Sequence, residues 1–139
     1  MKVSIITVTY NSEKSLQRSI DSVVSQDYPD IEHIIIDGGS TDNTVSIIKN
    51  NKEHISTYIS EKDSGIYQAL NKGIRLATGD IVGILNSDDV FADTNIISKV
   101  VGNFNNNSSD VVYGNLLYVT KNLSENKTIR YWKSNPYNP

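Results

Sequence analysis

A chain of 139 residues, 37% hydrophobic and 21% charged, has the size and composition of one soluble globular domain. Its formal charge of -3 and pI near 5.3 leave no basic stripe for a phosphate backbone, which argues against a dedicated nucleic-acid binder. The absence of cysteine excludes a disulfide framework, a thiolate zinc site and a cysteine nucleophile, and the short apolar run after Met1-Lys2 is too brief for a secretory leader or a membrane span, so the cytoplasm is the default compartment.

Val3 to Thr9 is rich in β-branched residues and apolar on both faces, the pattern of a central parallel strand. Tyr10-Asn11-Ser12 turns the chain, and Ser12 is placed to cap a helix carrying Leu16, Ile20, Val23 and Val24 on its apolar face. Ile34 to Ile36 predicts a second buried strand ending in Asp37, followed by Gly38-Gly39-Ser40-Thr41-Asp42 and a helix that buries Val45 and Ile48. A third strand is expected within Ile55 to Glu61. Ser64 would then cap a helix bearing Ile66, Leu70, Ile74 and Ala77, which Gly79 stops.

Ile81 to Leu85 reads as a fourth buried strand, opening into Asn86-Ser87-Asp88-Asp89. Asp93 precedes a helix with Ile96, Ile97, Val100, Val101 and Phe104, and Val111 to Tyr113 resumes a strand. Leu116 to Val119 and Thr128 to Trp132 alternate loosely around Asn122 to Asn126, which suggests an antiparallel pair; the last residues, from Ser134, read as loop. The fold class expected is therefore α/β, a Rossmann-like, mostly parallel sheet flanked by helices with an antiparallel C-terminal hairpin.

A parallel sheet brings its strand ends to one rim, so Thr9-Tyr10, Asp37 and Asp88-Asp89 converge there. A dinucleotide-binding domain needs a glycine-rich turn after its first strand, and Tyr10-Asn11-Ser12-Glu13 has no glycine; a P-loop is absent too. Positive charge for a phosphate must then come from a divalent metal at Asp88 and Asp89, unless those acids simply cap the next helix.

Four stretches in order, Val3 to Asn11, Ile36 to Thr44, Asn71-Lys72-Gly73 with Ala77-Thr78-Gly79-Asp80, and Asn86-Ser87-Asp88-Asp89, together resemble glycosyltransferase family 2 over nearly the whole chain. The resemblance implies a GT-A fold, a nucleotide-diphospho-sugar donor, Mn2+ or Mg2+, and transfer with inversion to a saccharide or lipid-linked acceptor in polysaccharide or glycoconjugate synthesis. It implies that Thr9, Tyr10 and Asp37 hold the nucleoside, and that Asp88 and Asp89 serve ribose, diphosphate and metal. Asn86 stands where many relatives have an acid, which removes a charge from the metal motif.

Asp37 can accept hydrogen bonds from a base or ribose, the alternative being a cap for the helix near Asp42. Tyr10 offers a flat face to a base, with core packing as its rival, and Asp63 can reach the same rim or merely precede a helix. His33 and His54 are isolated and take no catalytic role, and Trp132 is left unassigned. The general base is expected beyond Pro139, because Asp93, Asp110 and Glu125 sit in a cap, a strand start and a turn. The chain is accordingly read as a single nucleotide-sugar-binding domain over 1–139, cut before its acceptor-binding part, with a binding module lacking turnover as the alternative. A phosphohydrolase is disfavoured, since Asn86-Ser87-Asp88 lacks the required nucleophilic acid.

Overall fold

Every residue of β1 (Val3–Thr9) is buried, and so is all of β2 (Ile31–Asp37) after its first residue. Runs of this kind suit only strands covered on both faces. The computed structural model, which describes residues 1–107, 109–120 and 127–135, places them at the centre of a four-stranded parallel sheet of order β3-β2-β1-β4. β3 (Thr57–Ser60) and β4 (Ile81–Ile84) form its edges. The register runs from Val3 beside Ile31 to Thr9 beside Asp37, so the two central strands end level with each other.

Helices α1 (Leu16–Val24), α2 (Thr44–Asn50) and α3 (Ile66–Leu76) alternate with these strands. On one face of the sheet Ile6, Val8, Ile34 and Ile36 cluster with Ala69 of α3. On the other, Ile35 packs with Leu16 and Ile20 of α1, Ile48 of α2 and Ile55. The strand pleat thus distributes one apolar sequence between two cores. β4 departs from expectation, because Val82 and Ile84 on one of its faces are exposed: as an edge strand it is covered on one side only. Val24 is likewise exposed, one residue past the buried stripe of α1.

The buried face of α3 also differs from the one its sequence suggests. Ile66 and Ile74 are 51% and 48% exposed, whereas Ala69 and Gly73 are buried. The helix lies so close to β1 that a Cβ on Gly73 would stand 2.4 Å from Ile6 Cγ2, so Ala69 and Gly73 take the positions nearest the sheet while Leu70, Leu76 and Ala77 pack around them. Gly73→Ala is therefore expected to destabilise the protein by about 1–3 kcal/mol through overpacking, although alanine is the better helix former. Denaturant unfolding checks this; a stability unchanged or raised would show that Ile6 yields freely.

The chain divides into two compact units, Met1–Lys99 and Val100–Pro139, with the boundary inside α4 (Ile96–Asn107). In the second unit β5 (Leu116–Val119) and β6 (Thr128–Trp132) pair antiparallel, Leu116 with Trp132 and Tyr118 with Arg130. The strand expected at Val111 to Tyr113 is not formed: β6 takes its partners from Leu116 onward, and Tyr113 instead donates its hydroxyl to the Asn135 carbonyl. The turn expected around Asn122 to Asn126, Glu125 within it, lies outside the described residues, as does the end of the chain from Pro136. Among the described residues no helix is long and apolar enough to cross a membrane.

Candidate functional site

The four parallel strands end on one rim, and a cavity of about 640 Å³ opens there between the ends of β1 and β2 and the start of α3. Thr9, Tyr10, Gly38, Gly39, Lys62, Asp63 and Ile66 are among its lining residues. Tyr10 is 62% exposed, so its ring belongs to the cavity and not to the core. Thr9 is buried, and its hydroxyl has no hydrogen-bond partner among the described residues. Asp63 Oδ1 accepts the Gly65 N–H at 2.9 Å, while Oδ2 carries no hydrogen bond among the described residues. α3 itself starts at Gly65, and the hydroxyl of the expected cap, Ser64, donates to Gln68 Oε1.

Two loops form the adjoining wall, and each is tied to the other. Asn11 N–H donates to Ser40 Oγ at 2.8 Å, and Asn11 Oδ1 accepts the Thr41 N–H at 2.9 Å. Ser12 N–H donates to Thr44 Oγ1, Glu13 N–H to Asp42 Oδ2, and the Asn43 N–H to Glu13 Oε2. Asn11 holds a left-handed backbone (φ 49°), a conformation that asparagine tolerates better than most side chains. Partial burial would raise the Asp42 carboxyl, but hydrogen bonds from Thr44 and Glu13 outweigh it and hold its pKa below the usual range. Ser12 does not cap α1 with its side chain, contrary to the pattern: its hydroxyl meets Ser87 Oγ at 2.9 Å and so joins this clasp to the acidic loop after β4.

Asp37 is fully buried at the end of β2 and is not part of the cavity wall. Its carboxylate accepts hydrogen bonds from the Ser40 N–H (3.1 Å), the Ser40 hydroxyl and the Ser60 hydroxyl (2.7 Å). It thereby fixes the turn through Gly38 and Gly39, whose positive φ of 84° at Gly39 brings the backbone close to Lys62.

Asp88 and Asp89 are exposed on the loop that follows β4. Asn86 Nδ2 donates to Asp89 Oδ2 at 3.1 Å, and Asp88 makes no side-chain hydrogen bond among the described residues. Among the described residues no third histidine, cysteine or acid joins them in a metal-sized cluster. Two exposed carboxylates suit a magnesium or manganese ion that completes its shell with phosphate oxygens and water, so the residues present fit such an ion. Asp93 is engaged elsewhere, by the Thr94 N–H at 2.8 Å and the Lys99 ammonium at 3.8 Å.

The sequence pattern did not single out Lys62, nor Asn11, Glu13 and Asp42 as a connected set. Lys62 makes no ion pair or side-chain hydrogen bond among the described residues, whereas the neighbouring Glu61 is paired with Lys72 at 2.8 Å. Its position beside Asp63 was the only available signal. Trp132 stands half exposed on β6, with the Arg130 guanidinium 5.1 Å from its ring centroid.

Away from the rim, two buried ionisable groups lie in β2. Glu32 accepts from Ser4 Oγ (2.6 Å), the Thr78 N–H (2.9 Å), Lys2 Nζ (3.0 Å) and the Thr78 hydroxyl (2.8 Å), so the Ala-Thr-Gly-Asp stretch acts as a lock between strands. His33 Nε2 lies 3.0 Å from Thr7 Oγ1, and its Nδ1 has no partner among the described residues.

The family profile described as Glycosyl transferase family 2 matches residues 4–139. An uncharacterized glycosyltransferase of Mycobacterium tuberculosis is 40% identical over 100 residues, covering 71% of this chain and 38% of that protein. A PGL/p-HBAD biosynthesis glycosyltransferase of Mycobacterium bovis is 33% identical over 125 residues, 86% of this chain and 48% of its own length. This chain therefore spans less than half the length of either relative. Among solved structures, S. aureus TarS 1-349 in complex with UDP superposes with a TM-score of 0.73 at 28% identity, over 87% of this chain and 36% of that one. A mannosyltransferase from Pyrobaculum calidifontis in complex with GDP-Man and Mn2+ gives 0.70 at 28% identity, over 86% and 36%.

Proposed function

The chain belongs to glycosyl transferase family 2, and from that premise we propose that it binds a nucleotide-diphospho-sugar at the rim cavity and serves transfer of the sugar to an acceptor hydroxyl. The reading rests above all on the cavity at the ends of β1 and β2, where Thr9, Tyr10 and Asp63 meet in a space large enough for a nucleoside. Strand-end crevices of parallel sheets are the usual ligand sites of such folds. Relatives named as glycosyltransferases, a structural neighbour solved with UDP and a mannosyltransferase solved with GDP-Man and Mn2+ support the same conclusion.

In this reading Tyr10 offers its exposed ring to the base, and the clasped loops hold the backbone of Gly38 and Gly39 against the nucleoside. Asp37 acts from beneath by holding the turn, not by touching the ligand. Asp88 and Asp89 would hold Mn2+ or Mg2+, which when bound supplies positive charge against the departing diphosphate. Direct displacement inverts the anomeric carbon and calls for a carboxylate to accept the acceptor proton; Asp93, already held by Thr94 and Lys99, is not assigned that role.

The test is a panel of labelled nucleotide sugars offered with manganese and with saccharide or lipid-linked acceptors. Metal-dependent donor binding is the expected result, with transfer weak or absent because no described acid is assigned as the base. Robust acceptor-dependent transfer would send the search for a base back to Asp110, and no donor binding at all would remove the proposal.

A further inference from the structure

The cavity wall carries an unusual pair of unspent polar groups, and what they complement is narrower than a nucleotide in general. Asp63 Oδ1 already accepts the Gly65 N–H, so Oδ2 is the oxygen that has no partner among the described residues. That oxygen lies at the wall itself: a Cβ on Gly38 would stand 3.0 Å from it. The adjacent Lys62 supplies donors only, and no acid among the described residues neutralises it, since Glu61 is paired with Lys72. Asp37, the acid that the strand-end pattern offers for base recognition, is fully buried and occupied by Ser40 and Ser60.

Resting on the donor-site reading above, we infer that Asp63 and Lys62 read the base edge and select a uridine or thymidine diphosphate donor. These bases present a ring N–H flanked by carbonyl oxygens. The single free oxygen of Asp63 accepts the N–H, the Lys62 ammonium donates to a neighbouring carbonyl, and the ring rests against Tyr10. Cytosine and adenine put a lone pair where uracil has its N–H, directly against the carboxylate. Guanine matches the N–H and one carbonyl, but its amino group demands a second acceptor, which Asp63 can offer only at Oδ1, already shared with the Gly65 N–H. A site that hydrogen-bonds one edge rejects the other because its own polar atoms are then left unpaired.

The experiment is titration calorimetry of this chain with UDP, dTDP, GDP, CDP and ADP in the presence of manganese. UDP and dTDP are expected to bind at least about tenfold more tightly than CDP and ADP, with GDP between. Asp63→Asn keeps the size of the side chain and its bond to Gly65 while replacing the free acceptor by a donor, so it should weaken UDP and strengthen CDP, each about tenfold. Lys62→Ala, at an exposed position, should weaken UDP without favouring CDP. Equal affinities across the five nucleotides, or an unchanged preference in Asp63→Asn, would overturn the base assignment and leave the donor site standing. Failure of every nucleotide to bind would overturn both.

Discussion

A nucleoside diphosphate held at about 100 times its dissociation constant is expected to stabilise the chain by about 2.7 kcal/mol with manganese present, and by much less in chelator. The asymmetry follows from composition and site together. The chain is acidic overall, Lys62 is the single cation on the cavity wall among the described residues, and Asp88 and Asp89 are exposed acids that would repel a diphosphate unless a cation stood between. Asp89→Asn should remove most of the metal-dependent gain and leave the apo melting temperature nearly unchanged, because its side chain holds only a surface hydrogen bond to Asn86. Differential scanning with and without chelator reads both effects. Stabilisation of equal size in the two conditions would take the metal away from Asp88 and Asp89.

Stability is expected to fall in two adjoining steps as the solution is acidified. Burial pushes the His33 imidazole down from 6.5 to about 4, so the folded state resists the proton that the unfolded chain accepts. The corresponding stability is complete above about 6.5 and is lost as pH falls through about 4. For Glu32 burial alone would raise the pKa, but hydrogen bonds from Ser4, the Thr78 N–H, Lys2 and the Thr78 hydroxyl outweigh it and hold the group at about 2 instead of 4.5. Its share is present above about 4.5 and disappears as pH falls toward about 2. Each step is worth up to about 3 kcal/mol, the second somewhat less because Lys2 is partly exposed and screened. Denaturant midpoints at pH 7, 5, 3.5 and 2 would separate them. Glu32→Gln should flatten the lower step alone, and a Glu32→Gln variant that loses stability in parallel with the wild type at every pH would remove Glu32 from the explanation.

Much of this architecture is written into local pattern. The apolar runs Val3–Thr9 and Ile34 to Ile36 declare central parallel strands, although the second begins earlier, at Ile31, and the alternation in Leu116–Val119 and Thr128–Trp132 marks the ribbon with its correct bounds. What escapes the pattern depends on distance between elements that are remote in sequence. The close approach of α3 to Ile6 admits only small residues at Ala69 and Gly73, so the buried face centres on them, with Leu70 and Leu76 beside it, and periodicity alone assigns Ile66 and Ile74 to the wrong side. Val111 to Tyr113 has strand chemistry but no strand to pair with. At the site, a strand-end acid looks equally suited to ligand or to scaffold; the partners that surround Asp37, the hydroxyls of Ser40 and Ser60, are not legible in the sequence, since Ser60 is 23 residues away. Lys62 is invisible to motif reading because an isolated lysine in a polar stretch is ordinarily a solvated one.

The clasp between Asn11–Glu13 and Ser40–Thr44 has a consequence for binding entropy. Its side chains are already held in one arrangement in the free protein, by bonds that cross between two loops. Freezing a rotamer-rich side chain on association costs about 0.5–1.5 kcal/mol, and here that loss has been met during folding. A ligand therefore meets one rigid wall and one adjustable one, the latter consisting of the exposed Tyr10 and Lys62 side chains. Cutting the clasp, as in Glu13→Ala, would leave every ligand contact chemically available and still weaken binding, with the loss appearing in the entropy of association and not in its enthalpy.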